Sequence, residues 1–507
     1  MKKPYSLAEE LSRLSDPNPV PEPDPDDEYH NLWHFLGSGN GAGIGNGSCR
    51  LLPCTEKPGD VICRERYDMS GTIAVRRETK SPLERRTPIT PDLVARLVHG
   101  SGIEVLVQPS ARRVFRDKEY VRAGARVSES LAGANVILGV KEVPPDLFEP
   151  RTAYAFFSHV IKGQPYNMPM LAKILELGCT LIDYEKICDE QGKRLIFFGR
   201  FAGLAGMIDT LWALGQRLRR EGQPTPLAEI EAAHAYPSLD EAKNAIRRAG
   251  ERIASDGLPE ELTPLIVGIA GYGNVAGGAR EILSELPTRE VAPDNLESAF
   301  EESSPHCLYQ TTFKEADLVE STDGGAFELQ DYYNHPGRYQ SVSGRLLPYL
   351  TVLMNCNYWD ERYPRLVTKS QLKALWLAKV PPRLKVIGDL SCDVEGAVEC
   401  TLKCTEPSDP VYVYDTEEGT IASGVDGRGP VVLAVDILPA ELPREASEEF
   451  ASALGAFLPR LAATDFDVPF ADLDIPPELL GAVIAHRGAL TPDYRYLEAH
   501  LAAVNKS

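Results

Sequence analysis

From Gly71 onward the chain repeats one pattern: a short apolar run, a charged stop, and then a stretch with helical spacing. TIAV (72–75), IEVLV (103–107), VILGV (136–140), YAFF (154–157) and TLI (180–182) form a first series. A second opens at LIVGIAGYGNVAGGAREIL (265–283) and continues through LTVLMNC (350–356), KVIGDLS (385–391) and VVLAVDIL (431–438). Apolar runs of this length alternating with helices are the sequence form of βαβ units, whose parallel strands are buried on both faces. The expected fold class is α/β: two Rossmann-like domains with parallel sheets and an active-site cleft between them, which suits a chain of 507 residues.

The residues just after each run carry the chemistry. Arg76, Arg77 and Glu78 close the first, Lys141 and Glu142 the third, His159 the fourth, and Asp183 and Glu185 the fifth. In an open α/β sheet the ligand crevice lies outside the carboxyl ends of the strands, so these groups are expected to converge despite their distance in sequence.

GLAGMIDTLWALGQRLRR (203–220) has Leu204, Met207, Ile208, Leu211, Trp212 and Leu218 at helical spacing and reads as a long helix linking the domains. Gly203 and Gly206 would weaken an isolated helix, so they point to close packing near its start. The division expected is an N-terminal extension over 1–70, a substrate domain over 71–199 completed by 396–470, a nucleotide domain over 200–395, and a tail over 471–507. Residues 294–345, with DYYNHPGRY, read as a long insertion, too polar to supply another buried strand. The glycine-rich stretch 37–47 has no buried strand before it and no Lys-Ser/Thr pair after it, so it reads as a surface loop rather than a phosphate loop.

The second series begins on a dinucleotide signature. Leu265–Ile269 is apolar, Gly271 permits a tight turn, Gly273 lets the backbone approach a pyrophosphate, and a helix opens at Asn274 and Val275, its unpaired N–H groups favouring an anion. The next strand is expected at REVA (289–292), where an NAD site would end in an acid and this chain has Ala292. That reading favours NADP(H), with Arg289 nearby, while Asp294 leaves NAD(H) open.

Composition narrows the partners. A formal net charge of -21 repels phosphate backbones and anionic lipid, so no nucleic acid or membrane partner is expected. The ten cysteines form no paired CxxC units, so no metal site is expected and the thiols read as reduced. The first residues lack an apolar h-region, and no run approaches the roughly 20 apolar residues of a membrane span, so a cytoplasmic enzyme is expected.

Several strings carry a family likeness. AVRRETKSPLERRTPITP (74–91), ILGVKEVP, YAFFSHVIKGQ, LIDYEKI and FGRFAGLAGMID resemble the alanine dehydrogenase and transhydrogenase-type N-terminal domain in its saccharopine dehydrogenase branch. HPGRYQSVSGRLLPY, NCNYWDERYPRLVT and GDLSCDVEGAVE resemble the lysine-ketoglutarate reductase half of the aminoadipic semialdehyde synthases. The resemblance, over about residues 70 to 465, implies an oxidoreductase of lysine degradation that condenses lysine with 2-oxoglutarate and reduces the imine with NADPH to saccharopine. With about 40 residues after 465, a free-standing reductase is expected, and a homo-oligomer is compatible with it.

By motif, the resemblance implies Lys141 and His159 as catalytic lysine and histidine and Arg86 as a carboxylate-binding arginine. Glu142, Glu185 and Arg194 would line the substrate site, and Asp389 or Asp393 would reach the crevice. Gly271, Gly273, Asn274 and Val275 would form the nucleotide turn. The chemistry asks for such groups on its own account: imine formation needs proton carriers tuned near neutrality, and a dicarboxylate suits an arginine fork.

Overall fold

The computed structural model describes residues 71–504, so the readings made for the extension, including its glycine-rich stretch, lie outside the described residues. Six strands precede the long helix: β1 (Thr72–Val75), β2 (Glu104–Val107), β3 (Arg126–Val127), β4 (Val136–Leu138), β5 (Ala153–Phe156) and β6 (Thr180–Asp183). Helix α1 (Gly199–Arg220) comes next. Then come β7 (Ile266–Ala270), helix α2 (Asn274–Leu283), β8 (Thr288–Glu290), β9 (Leu308–Phe313), β10 (Val319–Ser321), β11 (Tyr339–Ser341), β12 (Val352–Asn355), β13 (Val386–Asp389), β14 (Val411–Tyr414), β15 (Ile421–Ser423) and β16 (Val431–Leu433). The chain returns through β17 (Val483–His486) and β18 (Ala489–Leu490).

Sixteen of these strands make two eight-stranded sheets, and β10 pairs with β11 in a separate antiparallel ribbon. The first runs β18-β17-β6-β5-β4-β1-β2-β3, parallel except where β17 and β18 join. Its strand order reverses between β1 and β4, the switch point at which an open sheet forms its ligand crevice. The second runs β15-β14-β16-β13-β12-β7-β9-β8, parallel from β16 to β8 with an antiparallel edge at β14 and β15. Its reversal falls at β7, between β9 and β12.

One segment and two boundaries differ from the sequence reading. Residues 308–313, inside the insertion expected to be too polar for a buried strand, form β9 between β7 and β8, because Leu308, Thr311 and Phe313 are buried there. Residues 411–433, expected within the return segment of the first domain, form β14–β16 of the second sheet, because Val411, Val413, Val431 and Leu433 bury on that sheet's face under α1. Only from the helix Pro443–Leu454 onward does the chain pack on the first core, through Phe450, Leu454, Leu458 and Leu461. The segment expected as a tail is also structural, since Val483, Ile484 and Ala485 are buried in that core and extend the first sheet.

Helix α1 ties the lobes together, and its glycines show how. A Cβ on Gly203 would lie 1.9 Å from the Val275 carbonyl oxygen, and one on Gly278 would lie 2.1 Å from that of Arg200. The helices therefore cross in backbone contact, which only glycine permits on both sides. This is the close packing that Gly203 suggests in the sequence.

Candidate active site

The acid–base groups stand at the switch point of the first sheet. Beyond β1 the chain turns so that Glu78, almost fully buried, accepts from the backbone N–H of Val140 (2.8 Å) and of Lys141 (3.1 Å). This carboxylate replaces the strand partner that β4 lacks past Leu138 and fixes the peptide carrying Lys141. Burial lowers the Lys141 pKa below its ordinary value, and the Arg86 cation pushes the same way; Glu142 and Glu84 oppose them.

The next residue organises the histidine. Glu142, itself buried, receives His159 Nδ1 at 2.8 Å and Lys80 Nζ at 2.8 Å. Burial opposes its charge, but bonding to His159 and Lys80 outweighs that and holds its carboxyl down at about 2. A carboxylate on Nδ1 orients the ring and leaves Nε2 without a protein partner among the described residues. His159 adopts left-handed backbone (φ 55°), a conformation costing a non-glycine residue about 1–3 kcal/mol that persists where its surroundings over-determine it. Here they do: the neighbouring Ser158 donates its hydroxyl and its N–H to Asp183, and the His159 ring lies over Phe157.

Asp183, fully buried at the end of β6, also accepts from the Glu185 N–H at 2.8 Å. Burial pushes its carboxyl up to about 6, against those hydrogen bonds. Glu185 and Arg194 form an ion pair, and Arg194 Nε donates to the Glu185 carbonyl at 3.0 Å. The remaining oxygen of Glu185, Oε2, is buried without a partner and free to accept.

Arg86 departs from its expected role. Its Nε donates to Glu84 Oε1 at 2.8 Å and its Nη2 to Glu84 Oε2 at 2.5 Å, both side chains being buried, and its guanidinium stacks on Phe198 at 4.3 Å. The fork expected to clamp a dicarboxylate is closed on Glu84, leaving Nη1 for a ligand. Its cation also acts on Lys141. Lys80 and Glu84 escape the motif reading; their signal is the run of alternating charges in TKSPLERR, directly after the first strand.

Asp389 is also placed otherwise than expected. It ends β13 fully buried, and its oxygens are taken by Asn355 Nδ2 (2.8 Å), Ser391 Oγ (2.8 Å) and Thr401 Oγ1 (2.6 Å). It ties strand ends together inside the second lobe. Asp393 is exposed and within electrostatic reach of Lys162 from the first lobe.

The nucleotide turn fits its sequence signature. Gly271 sits at φ 106°, in the region that favours glycine, and donates its N–H to the Phe313 carbonyl at 3.0 Å. Gly273 is exposed and a Cβ there would meet nothing within 4 Å, which leaves open space before the amides that start α2. Asn274 is exposed beside it, whereas Val275 turns its side chain toward Gly199 of α1 and serves packing. These residues fit a dinucleotide pyrophosphate. The neighbour of β7 on this side is β9, with β8 pushed to the sheet edge, so Ala292 lies away from the turn; the chain reaches the expected strand-end position at Lys314 and Glu315.

Among the described residues no group of three or more His, Cys, Asp and Glu side chains is placed to hold a metal, and no helix is long and apolar enough to cross a membrane.

Comparison with known proteins gives relatives in sequence and in fold. The family described as alanine dehydrogenase/PNT, N-terminal domain, matches residues 74–205, the segment that carries Lys141, His159 and Arg86. The alpha-aminoadipic semialdehyde synthase of Arabidopsis thaliana is 38% identical over 447 residues, 84% of this chain and 41% of its own length. The mitochondrial synthase of Rattus norvegicus is 36% identical over 440 residues, covering 84% and 47%. The chain thus spans less than half the length of these relatives. A saccharopine dehydrogenase [NAD(+), L-lysine-forming] of Emericella nidulans is 27% identical over 76% of this chain and 90% of its own. An L-alanine dehydrogenase structure shares the fold, with a TM-score of 0.56 at 18% identity over 85% of this chain and 99% of that one. Residues 74–205 match the alanine dehydrogenase/PNT N-terminal domain, and the chain is a homologue of part of the alpha-aminoadipic semialdehyde synthases.

Proposed function

We propose that this protein is a lysine-ketoglutarate reductase, joining the ε-amine of L-lysine to the oxo carbon of 2-oxoglutarate and reducing the imine with NADPH to give saccharopine. The observation that carries the reading is the pairing, at one switch point, of a buried lysine with lowered pKa and a histidine oriented by a carboxylate, in a chain whose second sheet presents an open glycine turn. The names of the relatives support the substrate class.

The bound nicotinamide supplies the hydride that reduces the imine; the protein's own residues handle protons and orientation. Imine formation passes through a carbinolamine, which needs one proton removed from the attacking amine and one delivered to the departing hydroxyl. Lys141, its pKa lowered by burial and by Arg86, serves as the base toward the amine. His159, with Glu142 fixed on Nδ1, presents Nε2 as the donor to the hydroxyl. Glu185 Oε2 accepts from the ammonium group of lysine, and Arg86 Nη1 holds a co-substrate carboxylate.

The test is NADPH oxidation by the purified chain. Oxidation is expected only when lysine and 2-oxoglutarate are both present. Equal rates with ammonia in place of lysine would overturn the reading in favour of an alanine-dehydrogenase-like deaminase.

A further inference from the structure

Arginines of this acidic chain are commonly held by a carboxylate: Arg77 meets Glu129, Arg200 meets Glu281, Arg247 meets Glu285 and Arg345 meets Glu320. With 74 acidic against 53 basic residues, partners are in excess. Three arginines that have none line one hollow. Arg85, Arg112 and Arg116 are exposed around a space of about 580 Å³, and their side chains make no hydrogen bond or ion pair among the described residues. The volume is that of a small-ligand site.

The hollow is formed by the loop after β2 and the segment after β1. β2 pairs with β1 on the side away from β4, so these arginines stand across β1 from Lys141 and His159, and neither of those two lines the space. The loop after β2 is bonded to itself. Buried Arg113 donates from Nη2 to the Gln108 carbonyl (2.8 Å) and from Nη1 to Asp117 (3.4 Å), and its N–H donates to Ser110 Oγ (3.2 Å). Asp117, the acid in the lining, also accepts from the Ser110 N–H at 3.2 Å. That carboxylate is committed to the loop, whereas Arg112 and Arg116 are left to the hollow.

One hydrogen bond joins the two walls: the Val114 N–H donates to the Arg85 carbonyl at 2.9 Å. The next residue is Arg86, whose guanidinium is closed on Glu84 and whose charge helps to lower the Lys141 pKa. A ligand that draws Arg85 toward Arg112 and Arg116 therefore acts on the peptide that places Arg86.

We infer that the hollow between the β1 and β2 loops binds a small polyanion, a molecule with several carboxylate or phosphate oxygens, and that its occupancy reaches Lys141 through the Arg85–Arg86 segment. A guanidinium fork takes carboxylate or phosphate oxygens two at a time, so three forks around one space suit two or three anionic groups rather than one. Three like charges repel one another across the empty space, and an anion relieves that repulsion. Binding at the hollow is independent of the reductase reading, whereas the effect on rate rests on it.

Titration calorimetry on the full chain tests this, with citrate and inorganic pyrophosphate as probes and acetate as the control with a single charge. NADPH is present in excess to fill the glycine turn. Citrate or pyrophosphate is expected to bind at least tenfold more tightly than acetate, and the tighter of the two tells a carboxylate ligand from a phosphate one. Arg112→Gln combined with Arg116→Gln should weaken that binding by about tenfold or more, as the loss of charge-assisted hydrogen bonds requires, and leave the rate without anion unchanged. Binding that survives in this double variant lies elsewhere and overturns the site, as does acetate binding as tightly as both probes. A saturating anion should move the limb of the kcat/KM profile that reports the free base of Lys141 to higher pH in wild type, since a nearby anion favours the ammonium form, and should not move it in the double variant. An unmoved limb in wild type overturns the link to Lys141 while the site stands. If the chain neither binds NADPH nor turns over, the reductase reading falls, and citrate titrated into wild type and the double variant still decides the hollow.

Discussion

The two sheets meet their ligands with opposite means. At the switch point of the first, charged side chains crowd the strand ends: Glu78, Lys80, Glu84, Arg86, Lys141, Glu142 and His159 neutralise, orient or shift one another. At the switch point of the second, the strand end is bare, offering Gly271, Gly273 and the amides that open α2. A pyrophosphate already carries its charge and needs only donors on a rigid backbone. Proton transfer needs groups whose charge state is poised, which requires burial and neighbours. One region therefore tolerates few side chains, and the other depends on all of them.

The sharpest way to break this comparison is at the proton carriers. Lys141→Met and His159→Gln should each lower kcat by about 10²–10⁴ while nucleotide binding, tracked by NADPH fluorescence, changes little. Near-normal turnover in folded variants would remove both from the acid–base role.

Arg86 sharpens it next, because the structure gives that residue two jobs. Arg86→Ala leaves Glu84 buried without its partner, so denaturant melts should show a loss of about 3–5 kcal/mol. Arg86→Met combined with Glu84→Gln should recover most of it and expose the electrostatic role. Without the guanidinium the Lys141 pKa rises toward its ordinary value, so the limb of the kcat/KM profile that reports the free base should move to higher pH. An unmoved limb would confine Arg86 to the ion pair and to substrate binding.

Asp183 supplies a smaller effect, on stability. Its folded pKa of about 6 lies above the ordinary carboxyl value near 4, so its contribution is present below that value and is lost as pH rises through 6. Asp183→Asn should therefore flatten the fall in stability between about pH 4 and 6, read from chemical melts; an unchanged slope would show that Ser158 and Glu185 hold the carboxylate charged throughout.

The smallest expected effect is none. Ala292→Asp should leave the NADPH/NADH preference unchanged, since β9 separates β8 from the glycine turn. A shift toward NADH, measured as a ratio of kcat/KM values, would place the ribose beside β8 after all.

Much of this was legible in sequence because it is written in local pattern. Apolar runs located the strands β1, β2, β4, β5 and β6, TIAV to the residue, and the charges after them stand at one end of the sheet because a parallel strand delivers its next residue to the sheet edge. Gly203 announced a close crossing, and Gly271 and Gly273 a nucleotide turn, since an absent Cβ is a property of one residue. Partner choice was not legible. Arg86 reads the same whether its fork meets a substrate or Glu84, and Asp389 the same whether it faces a cleft or is sealed by Asn355, Ser391 and Thr401.

By itself the sequence determined the α/β class, the charged strand ends of the first sheet and the glycine turn after β7, all of which come from periodicity and from residues within a few positions of one another. Only the tertiary structure decided that β9 enters beside β7 and that residues 411–433 join the second sheet while 483–490 complete the first. Strand neighbours are chosen by hydrogen-bonding edges and by core faces contributed from distant segments, and no local pattern encodes which edge a strand will find. The same physics decided which charges are free: a buried ion must be paired, and the partner that packs closest takes it.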